Sequence, residues 1–295
     1  MRKASILAAL AVVAALVPAS ADAWGSVAHR YIMSRAIDIL PAEIKPFFVA
    51  HRDELVLRVN DPDLWRNVPW EEEDPHHFVN FGVEEYGPPP FTALPREYGA
   101  AIEKFGMATL RRNGLLPWRA SELFGNLRRA FEGFARNSGF ASGDTVLFAA
   151  SAAHYIQDAH QPFHASKNYD GQMSGQNGVH ARFESALFDR YEARLSITPP
   201  PVRAIANPRD FAFDTLIASY TLVDAVLAAD KAARAGKATY DDGYFDRFFA
   251  AVKLLLERRL SESISATAGL IAGAWAQAGK PELKTPTRLP QKVRK

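Results

Sequence analysis

Apolar residues recur at three- and four-residue steps along most of the chain, which is the spacing of one face of an α-helix. An early case covers 27–40 and is stopped by Pro41. The same spacing predicts helices over 98–112, 119–136, 143–165, 180–195, 211–235 and 244–278. The alternating pattern of β-strands is nearly absent. We therefore expect an all-α fold.

Two regions between these helices have the composition of loops. Segment 60–95 is crowded with Pro, Gly, Asp and Glu, so it is predicted to be loop with short turns. Segment 168–178 is rich in Gly, Asn and Gln and is predicted to be a second loop. The expected organisation is one mostly helical domain with long irregular loops over 24–279, followed by a basic flexible tail at 280–295.

The first 23 residues have the pattern of a secretory signal peptide. Arg2 and Lys3 precede an uncharged stretch at 4–16, and small residues at 21–23 form a cleavage signal. A membrane anchor would need about 20 apolar residues, and no later stretch is predicted to span a bilayer. We expect cleavage before Trp24 and a monomeric product that is soluble in the periplasm or outside the cell, without stable membrane insertion.

The amino-acid composition excludes several classes of protein and of functional site. The 295 residues are 48% hydrophobic and 23% charged, with 35 basic against 33 acidic side chains, which excludes a disordered chain. Because the net charge is close to zero, the protein as a whole does not attract nucleic acid or an anionic membrane. A phosphate-bearing substrate would therefore need a local binding site. Because the chain has no cysteine, disulfides, thiolate nucleophiles and cysteine-type zinc sites are excluded.

Histidines and carboxylates repeat at helical spacing in one part of the chain. His154 and Asp158 are four residues apart on one predicted helix, His180 and Glu184 are four apart on the next, and His164 lies between the pairs. Imidazole nitrogen and carboxylate oxygen are the ligands of zinc and similar ions. A single pair at this spacing commonly stabilises only a helix surface, by a few tenths of a kcal/mol. Two pairs with a third histidine favour a metal site.

These motifs resemble a known signature. HYIQDAHQPFHA followed by NGVHARFE is similar to the HxxxDxxxxxH…HxxxE pattern of the zinc-dependent phospholipase C and S1/P1 nuclease superfamily. The segment WGSVAHRYIMSRAIDIL and the blocks DPDLWR and EEDPHHFVNF add to the resemblance, which covers 24–190. Members of that family use an N-terminal Trp, exposed by signal cleavage, as a metal ligand. The resemblance implies the helical fold of that family.

Carried over by position, the resemblance implies three zinc ions held by nine residues. The first ion would be held by Asp63, His77, His154 and Asp158. The second ion would be held by His164, His180 and Glu184. The third ion would be held by the α-amino nitrogen and carbonyl oxygen of Trp24, by His29 and by a shared Asp158. An α-amino group has a pKa of about 7.7 to 8.0, so it can lose its proton to a metal near neutral pH.

Two ligand choices stay open in the middle block. Asp61 competes with Asp63, which is preferred because it opens DLWR, and His76 competes with His77, which is preferred because it precedes an aromatic residue as the family's ligand does. Two further histidines have no place in the ligand set and are expected on the surface or on a helix face. They are His51 and His160.

The expected activity is hydrolysis of a phosphodiester. A cluster of metal ions can generate a bridging hydroxide at neutral pH and neutralise the phosphate, so no protein nucleophile is needed. By the resemblance, Asp63 is both a ligand and the catalytic residue that orients or deprotonates the water. Glu184 is expected to be a ligand only.

The substrate has two candidates. The terminal ligand Glu184, the missing cysteines and the string RAIDIL favour a phospholipase C that acts on a phospholipid head group. The five-residue spacing from Trp24 to His29 and the string AHQPFH favour the alternative, an S1/P1-type nuclease acting on single-stranded nucleic acid. Aromatic residues that line a substrate pocket, or belong to the core, are Trp70, Phe78, Phe81, Tyr86 and Phe91. The non-enzyme alternative is a zinc-binding helical module.

Overall fold

Helices account for all the long regular elements of the protein, as a computed structural model shows for residues 25–66, 72–236 and 239–284. No strand occurs among these residues, so the predicted all-α class is confirmed. The predicted signal peptide, Trp24, Trp70 and the tail beyond residue 284 lie outside the described residues.

The α-helices are, in chain order, α1 (Ser26–Asp38), α2 (Lys45–Ala50), α3 (Arg52–Arg58), α4 (Asp61–Arg66), α5 (Val83–Tyr86), α6 (Tyr98–Phe105), α7 (Met107–Asn113), α8 (Leu116–Ala135), α9 (Ala141–Asp158), α10 (Val179–Ala181), α11 (Leu187–Tyr191), α12 (Pro208–Tyr220), α13 (Val223–Arg234) and α14 (Asp242–Gln277). Short 3₁₀ turns cover Asp74–His77, Pro162–Ala165 and Glu192–Arg194, and a π-turn at Arg182–Ala186 joins α10 to α11.

Helix α9 lies at the centre of the fold. It packs against α8, α14, α3 and α1, and every residue from Ala149 to Asp158 is buried. Several of these residues are alanines, whose small side chains let neighbouring helices approach closely. Because a helix that is covered on all sides exposes no face to solvent, any polar side chain on it must find its partners inside the protein. His154 and Asp158 are in this position.

The structure corrects several predicted boundaries. The helix predicted over 98–112 is divided at Gly106, whose positive φ of 74° ends α6. The helix predicted over 143–165 ends at Asp158, and the one predicted over 211–235 is divided by a turn at 221–222. Segment 60–95 is not only loop, because α4, α5 and a 3₁₀ turn form within it. Helices of four to seven residues such as α2, α3 and α4 depend on tertiary packing, which periodicity does not detect.

One segment disagrees with the prediction that no stretch after the leader is apolar enough for a membrane. Within the described residues, Pro208–Arg234 passes that test by length and composition, with a mean hydropathy of 1.5. The segment consists of α12 and α13 separated by the turn, and these helices pack against α8 and α14 respectively. Length and composition alone do not separate a core helix pair from a membrane span.

Candidate metal centre

The last turn of α9 brings the first two predicted ligands into the protein interior. His154 and Asp158 are fully buried, and His154 Nε2 lies 3.2 Å from Asp158 Oδ2. Residues four apart on a helix share one face, so the helix itself sets this distance. A buried carboxylate requires a compensating charge or hydrogen bonds, and the elements packed against this face supply them.

Asp63 and His77 reach the same place from α4 and from the 3₁₀ turn Asp74–His77. The turn fits closely against Gly114, where an added Cβ would lie 2.0 Å from the carbonyl oxygen of Phe78. Gly114 also has a φ of 108°, which favours glycine. The residue after α7 must therefore be small for His77 to be held in place.

We call Asp63, His77, His154 and Asp158 the first ligand group. His77 Nδ1 lies 3.0 Å from both His154 Nε2 and Asp158 Oδ2. Asp63 Oδ1 lies 3.6 Å from His77 Nδ1 and 3.7 Å from His154 Nε2. A tetrahedral zinc ion with bonds of about 2.0 to 2.2 Å places its ligand atoms about 3.3 to 3.6 Å apart. The spacing of the four atoms is close to that of a metal coordination sphere.

Two backbone carbonyl oxygens orient imidazole rings of the site. Nδ1 of His154 donates to the carbonyl of Val59 at 2.8 Å, and Nδ1 of His164 donates to the carbonyl of His77 at 2.5 Å. Because a carbonyl only accepts, each ring carries its hydrogen on Nδ1, and in the neutral ring the Nε2 lone pair is then available as a ligand. Metal-binding histidines are commonly oriented by such a bond.

His29 extends the cluster from α1. Its Nδ1 lies 2.6 Å from the side-chain oxygen of Gln157, and its Nε2 lies 3.3 Å from Asp158 Oδ1. The His29 and His154 rings stack with centroids 4.2 Å apart. Asp158 therefore directs one oxygen towards His29 and the other towards His77 and His154, the arrangement of a bridging carboxylate. Trp24, the predicted partner of His29, lies outside the described residues.

We call His164, His180 and Glu184 the second ligand group. Nε2 of His180 lies 2.8 Å from Glu184 Oε2, and the rings of His164 and His180 are 5.0 Å apart between centroids. Gln161 donates to Glu184 Oε2 at 2.7 Å. His164 Nδ1 lies 3.9 Å from Asp158 Oδ2, so the two groups adjoin each other.

The first ligand group keeps its charges in the interior. Burial by itself lowers the pKa of His154, but the carboxylates of Asp158 and Asp63 outweigh it and raise that pKa to about 9. Burial would raise the pKa of Asp158, but the neighbouring His154 and His164 hold it well below its ordinary value. Near neutral pH, without metal, His154 is a cation and Asp158 an anion.

The second ligand group is neutral by contrast. Burial lowers the pKa of His164 to about 4 and that of His180 to about 4. Burial also raises the pKa of Glu184 well above its ordinary value, so its carboxyl holds a proton. Metal binding here must displace the proton of Glu184, because a metal ligand binds in its deprotonated form.

An open cleft of about 650 Å³ has ligands of both groups in its wall, among them His77, His164 and His180. Three cationic side chains line it: Arg66, Arg112 and Lys167. The remaining lining residues are Asp74, Phe78, Asn80, Glu85, Asn113, Phe163 and Tyr169. The cleft therefore opens the candidate metal centre to solvent.

The two alternative ligands of the middle block lie outside the groups. The carboxylate of Asp61 accepts a hydrogen bond from Arg58 at 3.2 Å. His76 turns away from the cleft, with Nδ1 3.6 Å from Glu73 Oε2. Among the described residues, the groups that could hold a metal ion include Asp63 and His77 and leave out Asp61 and His76.

The two histidines predicted to be bystanders are likewise absent from the groups found among the described residues. His51 is partly buried, with Nε2 3.2 Å from Ser142 Oγ. His160 was expected on the surface or on a helix face, but it is buried just past the end of α9. Its Nδ1 donates to the carbonyl of Ile156 at 2.7 Å, and burial lowers its pKa to about 3.

The aromatic residues of the middle segment divide between core and cleft. Phe81, Tyr86 and Phe91 belong to the hydrophobic core, and Phe78 lines the cleft. Sequence reasoning did not single out Gln157 and Gln161, which contact His29 and Glu184. Both lie next to predicted ligands within HYIQDAHQPFHA, so a helical projection of that string is the signal that could have found them.

Buried atoms of the ligand type face one another without hydrogen bonds, which suits a bound cation. Counting only partners within the described residues, the ligand-type atoms that make no hydrogen bond include His29 Nε2, Asp158 Oδ1, His164 Nε2 and Glu184 Oε1. These buried clusters of histidine and carboxylate could hold metal ions. No family model and no curated protein matches the chain, so the function must be argued from this site.

Proposed function

We propose that the protein is a zinc-dependent phosphodiester hydrolase. The observation that carries the proposal is the convergence of three ligand sets, two of which share His154, beside an open cleft whose wall has more cationic than anionic side chains. A structural zinc site is closed, whereas a catalytic one stays accessible to substrate. Adjoining metal sites within reach of a cleft are suited to a substrate that carries a phosphate.

The donor set supports zinc and a count of three ions. All the donors are imidazole nitrogens or carboxylate oxygens, and the pair distances of the first ligand group suit four-coordinate zinc. The first and second ligand groups would each hold one ion. His29 and Asp158 Oδ1 would hold a third, with the terminal amine of Trp24 as a further donor after cleavage.

Bound zinc would supply Lewis-acid chemistry, polarising phosphate oxygens and making water a nucleophile near neutral pH. Asp63 is the best candidate to orient that water or take up its proton, since its carboxylate borders the first ligand group. Arg66 lies 3.6 Å from Asp63 Oδ1 and lines the cleft, so it would contact the phosphate. Burial lowers the pKa of Arg66, but Asp74 and Asp63 outweigh it, and Arg66 stays charged.

The charge of the cleft favours a substrate with more than one phosphate, such as single-stranded nucleic acid. Three cationic side chains in its wall, Arg66, Arg112 and Lys167, outnumber the two carboxylates. Arg66 and Lys167 pair with those carboxylates, Asp74 and Glu85, at 2.6 Å and 2.8 Å, so Arg112 adds the net positive charge beyond that of the ions. Phe78 offers a ring on which a base could stack.

A phospholipid is the second candidate, supported by apolar side chains near the cleft. Tyr169 lines the cleft and is 47% exposed, and Met173 and Val83 line an adjoining cavity and are 66% and 51% exposed. Exposed apolar residues around an active site are typical of enzymes that contact lipid surfaces. This candidate agrees with the phospholipase C features of the sequence.

The first experiment measures zinc content and hydrolysis in the protein that begins at Trp24. We expect about three zinc ions per chain by plasma mass spectrometry, and phosphodiester hydrolysis that chelator removes and added zinc restores. A content of one ion or none would contradict the trinuclear proposal. Zinc binding without hydrolysis of nucleic acid or phospholipid would support the helical binding module.

The second experiment separates the two substrates with matched variants. Arg112→Gln removes a cleft cation and should raise KM for a single-stranded oligonucleotide several-fold while leaving phosphatidylcholine hydrolysis unchanged. Met173→Ser removes an exposed apolar side chain and should weaken hydrolysis of phosphatidylcholine vesicles only. If only the lipid activity is detected, and only Met173→Ser reduces it, the nucleic-acid proposal is wrong.

A further inference from the structure

Arg182 lies between the two helical ligands of the second ligand group but on the opposite side of the helix. Residues two positions apart on a helix point about 200° apart, so Arg182 faces away from His180 and Glu184. His180 lies in α10, whereas Arg182 and Glu184 lie in the π-turn Arg182–Ala186 that continues it, and such turns are frequent at functional sites. Together α10 and the π-turn carry two ligands on one face and a charged side chain on the other.

The guanidinium of Arg182 is almost completely buried and makes an ion pair with Asp230 of α13. Its Nη2 and Nε lie 3.0 Å and 3.2 Å from Asp230 Oδ1. Nε also donates to the hydroxyl of Tyr244 on α14 at 3.1 Å, and the guanidinium lies 4.0 Å from the ring centroid of Tyr240. Asp230 itself is completely buried. The pair joins the ligand-bearing helix to α13 and α14.

The same two residues hold the loop that leads into this helix. Arg182 donates to the carbonyl oxygens of Asn177 at 2.8 Å and Gln176 at 3.1 Å. The amide of Gln176 donates to Asp230 Oδ2 at 2.6 Å and to the carbonyl of Leu227 at 2.8 Å. Both carboxylate oxygens of Asp230 are thus used. We call Gln176, Arg182, Asp230 and Tyr244 the Asp230 clamp.

The clamped loop reaches the ligand His180 directly. Gly178, the residue before α10, donates its backbone N–H to Asp170 Oδ2 at 2.8 Å. His180 is the second residue of that helix. Movement of this loop would therefore change the start of the ligand-bearing helix and the position of His180.

We propose that the Asp230 clamp positions the second ligand group for its metal ion, with Arg182 and Asp230 acting as positioning residues rather than ligands. The inference rests on the proposed function, because it takes the second ligand group to be a metal site. A buried ion pair adds little net stability compared with apolar residues, but it specifies one arrangement of the elements it joins. Here that arrangement is the one in which His180 and Glu184 face His164.

The main test measures zinc affinity in Asp230→Asn. The change keeps the shape of the side chain but removes the charge opposite Arg182. We expect one of the bound ions to dissociate about 10- to 100-fold more readily, with the others unchanged, as for the loss of residues that orient metal ligands. Zinc bound per chain is measured by plasma mass spectrometry at a series of buffered free zinc concentrations.

The matched control is Glu262→Gln. Glu262 accepts from the buried Arg259 at 2.5 Å on α14. Arg259 also donates to the carbonyl of His160 and to the hydroxyl of Ser219, and neither residue belongs to a ligand group. Removal of the Glu262 charge should leave every zinc affinity unchanged. A purely structural role of the Asp230 clamp would instead lower the melting temperature of metal-free Asp230→Asn without selective loss of one ion. Equal weakening of all ions in Asp230→Asn would overturn the proposal.

A double variant identifies the affected ion. His180→Gln should lose the ion of the second ligand group, and adding Asp230→Asn should then weaken no further ion. In His77→Gln, Asp230→Asn should still weaken one more ion. Cobalt-substituted protein gives a spectroscopic check, because Asp230→Asn should change the visible absorption of the second site only. An additional loss in the His180→Gln background would contradict the assignment.

A milder variant covers the case in which Asp230→Asn does not fold. Gln176→Ala removes the bonds to Asp230 Oδ2 and Leu227 but leaves the ion pair, and we expect a smaller, selective loss of the same ion. Unchanged zinc binding in folded Gln176→Ala and Asp230→Asn would refute the clamp alone. A wild-type protein that binds no zinc would refute the proposed function itself, so the two failures are distinguishable.

Discussion

The first and second ligand groups adjoin each other and are equally buried, yet their charge states differ. In the first, two carboxylates surround His154, which remains protonated beside ionised Asp158. In the second, one carboxyl faces two histidines, and burial leaves all three groups neutral. The ratio of carboxylates to imidazoles therefore decides whether a buried ligand set keeps its charges in the absence of metal.

The difference also lies in how the ligands are held. In the first ligand group, His154 is oriented by the carbonyl of Val59, the residue that follows α3. In the second, His164 is oriented by the carbonyl of His77, but the helix bearing His180 and Glu184 depends on a loop and on the Asp230 clamp. We expect the first ligand group to be the more rigid metal site and the second to release its ion more easily.

The largest expected effect separates the two groups by activity. In the proposed metal centre Asp158 would hold two of the ions, so Asp158→Asn should lower kcat about 10³-fold or more and remove two ions. Glu184→Gln should remove one ion and lower kcat by roughly 10²-fold. Zinc content and hydrolysis of bis(p-nitrophenyl) phosphate are the measurements. Equal losses in both variants would show that Asp158 is not shared.

The same variants should change the stability of the metal-free protein in opposite directions. Asp158→Asn leaves the buried His154 cation without its main partner and should lower the free energy of unfolding by about 3 kcal/mol at pH 8. Glu184→Gln replaces a carboxyl that the fold keeps protonated, so it should raise that free energy. Urea denaturation in chelator at pH 8 measures both. Destabilisation by Glu184→Gln would contradict a neutral second group.

The pH dependence of metal-free stability should also have opposite signs. The pKa of His154 is raised to about 9 in the folded protein. Its contribution to the free energy of unfolding, roughly 3 kcal/mol, is therefore complete below about pH 6.5 and is lost as the pH rises through 9. The pKa values of His164 and His180 are lowered to about 4 in the folded protein. Their contribution to the free energy of unfolding is therefore complete above about pH 6.5 and is lost as the pH falls through 4.

The Glu184→Gln background isolates these slopes. Because the pKa of Glu184 is raised, the wild type loses stability as the pH rises above the ordinary pKa of a carboxyl. This loss overlaps the pH ranges in which the histidines of the two groups act. Adding His154→Gln to Glu184→Gln should abolish the loss of stability between pH 6.5 and 9. The loss of stability at acid pH should stay unchanged. Urea midpoints in chelator at pH 5, 7 and 9 test this. A loss that persists without His154 would have another origin.

The smallest effects are expected at the histidines outside both groups. His76→Gln should keep the full zinc content and hydrolyse substrate within about threefold of the wild type, whereas His77→Gln should lose an ion. His160→Gln should lower the free energy of unfolding by about 1 to 3 kcal/mol, because it alters the buried hydrogen bond to the carbonyl of Ile156. It should not change the zinc content. Loss of zinc in His76→Gln would reverse the choice between the neighbouring histidines.

Much of the fold was predictable because helices are encoded by local spacing. The predicted range 27–40 corresponds to α1, and 244–278 corresponds to α14 within two residues at each end. The short helix α4 was missed, although it carries Asp63. It lies within a segment rich in Pro and charged residues, and its helical conformation depends on contacts with α9 that no local pattern contains.

The candidate site was predictable where its ligands lie one helical turn apart. The pairs His154 with Asp158 and His180 with Glu184 follow from the rise of a helix alone. The choice of His77 over His76 in the geometry depends on which way the turn Asp74–His77 faces, and that direction is fixed by Gly114 and the backbone around it. No spacing rule along the chain contains this information.

The sequence alone determined the all-α class and the pairs of ligand-type residues, because both are properties of neighbours on a helix. Only the tertiary structure decided that these pairs converge, that Asp158 faces two ligand sets, and that His154 is charged while Glu184 is neutral. The physical reason is that burial and electrostatic interactions depend on residues far apart along the chain. For the same reason, the part played by Asp230, 50 residues after His180, is visible only in the folded protein.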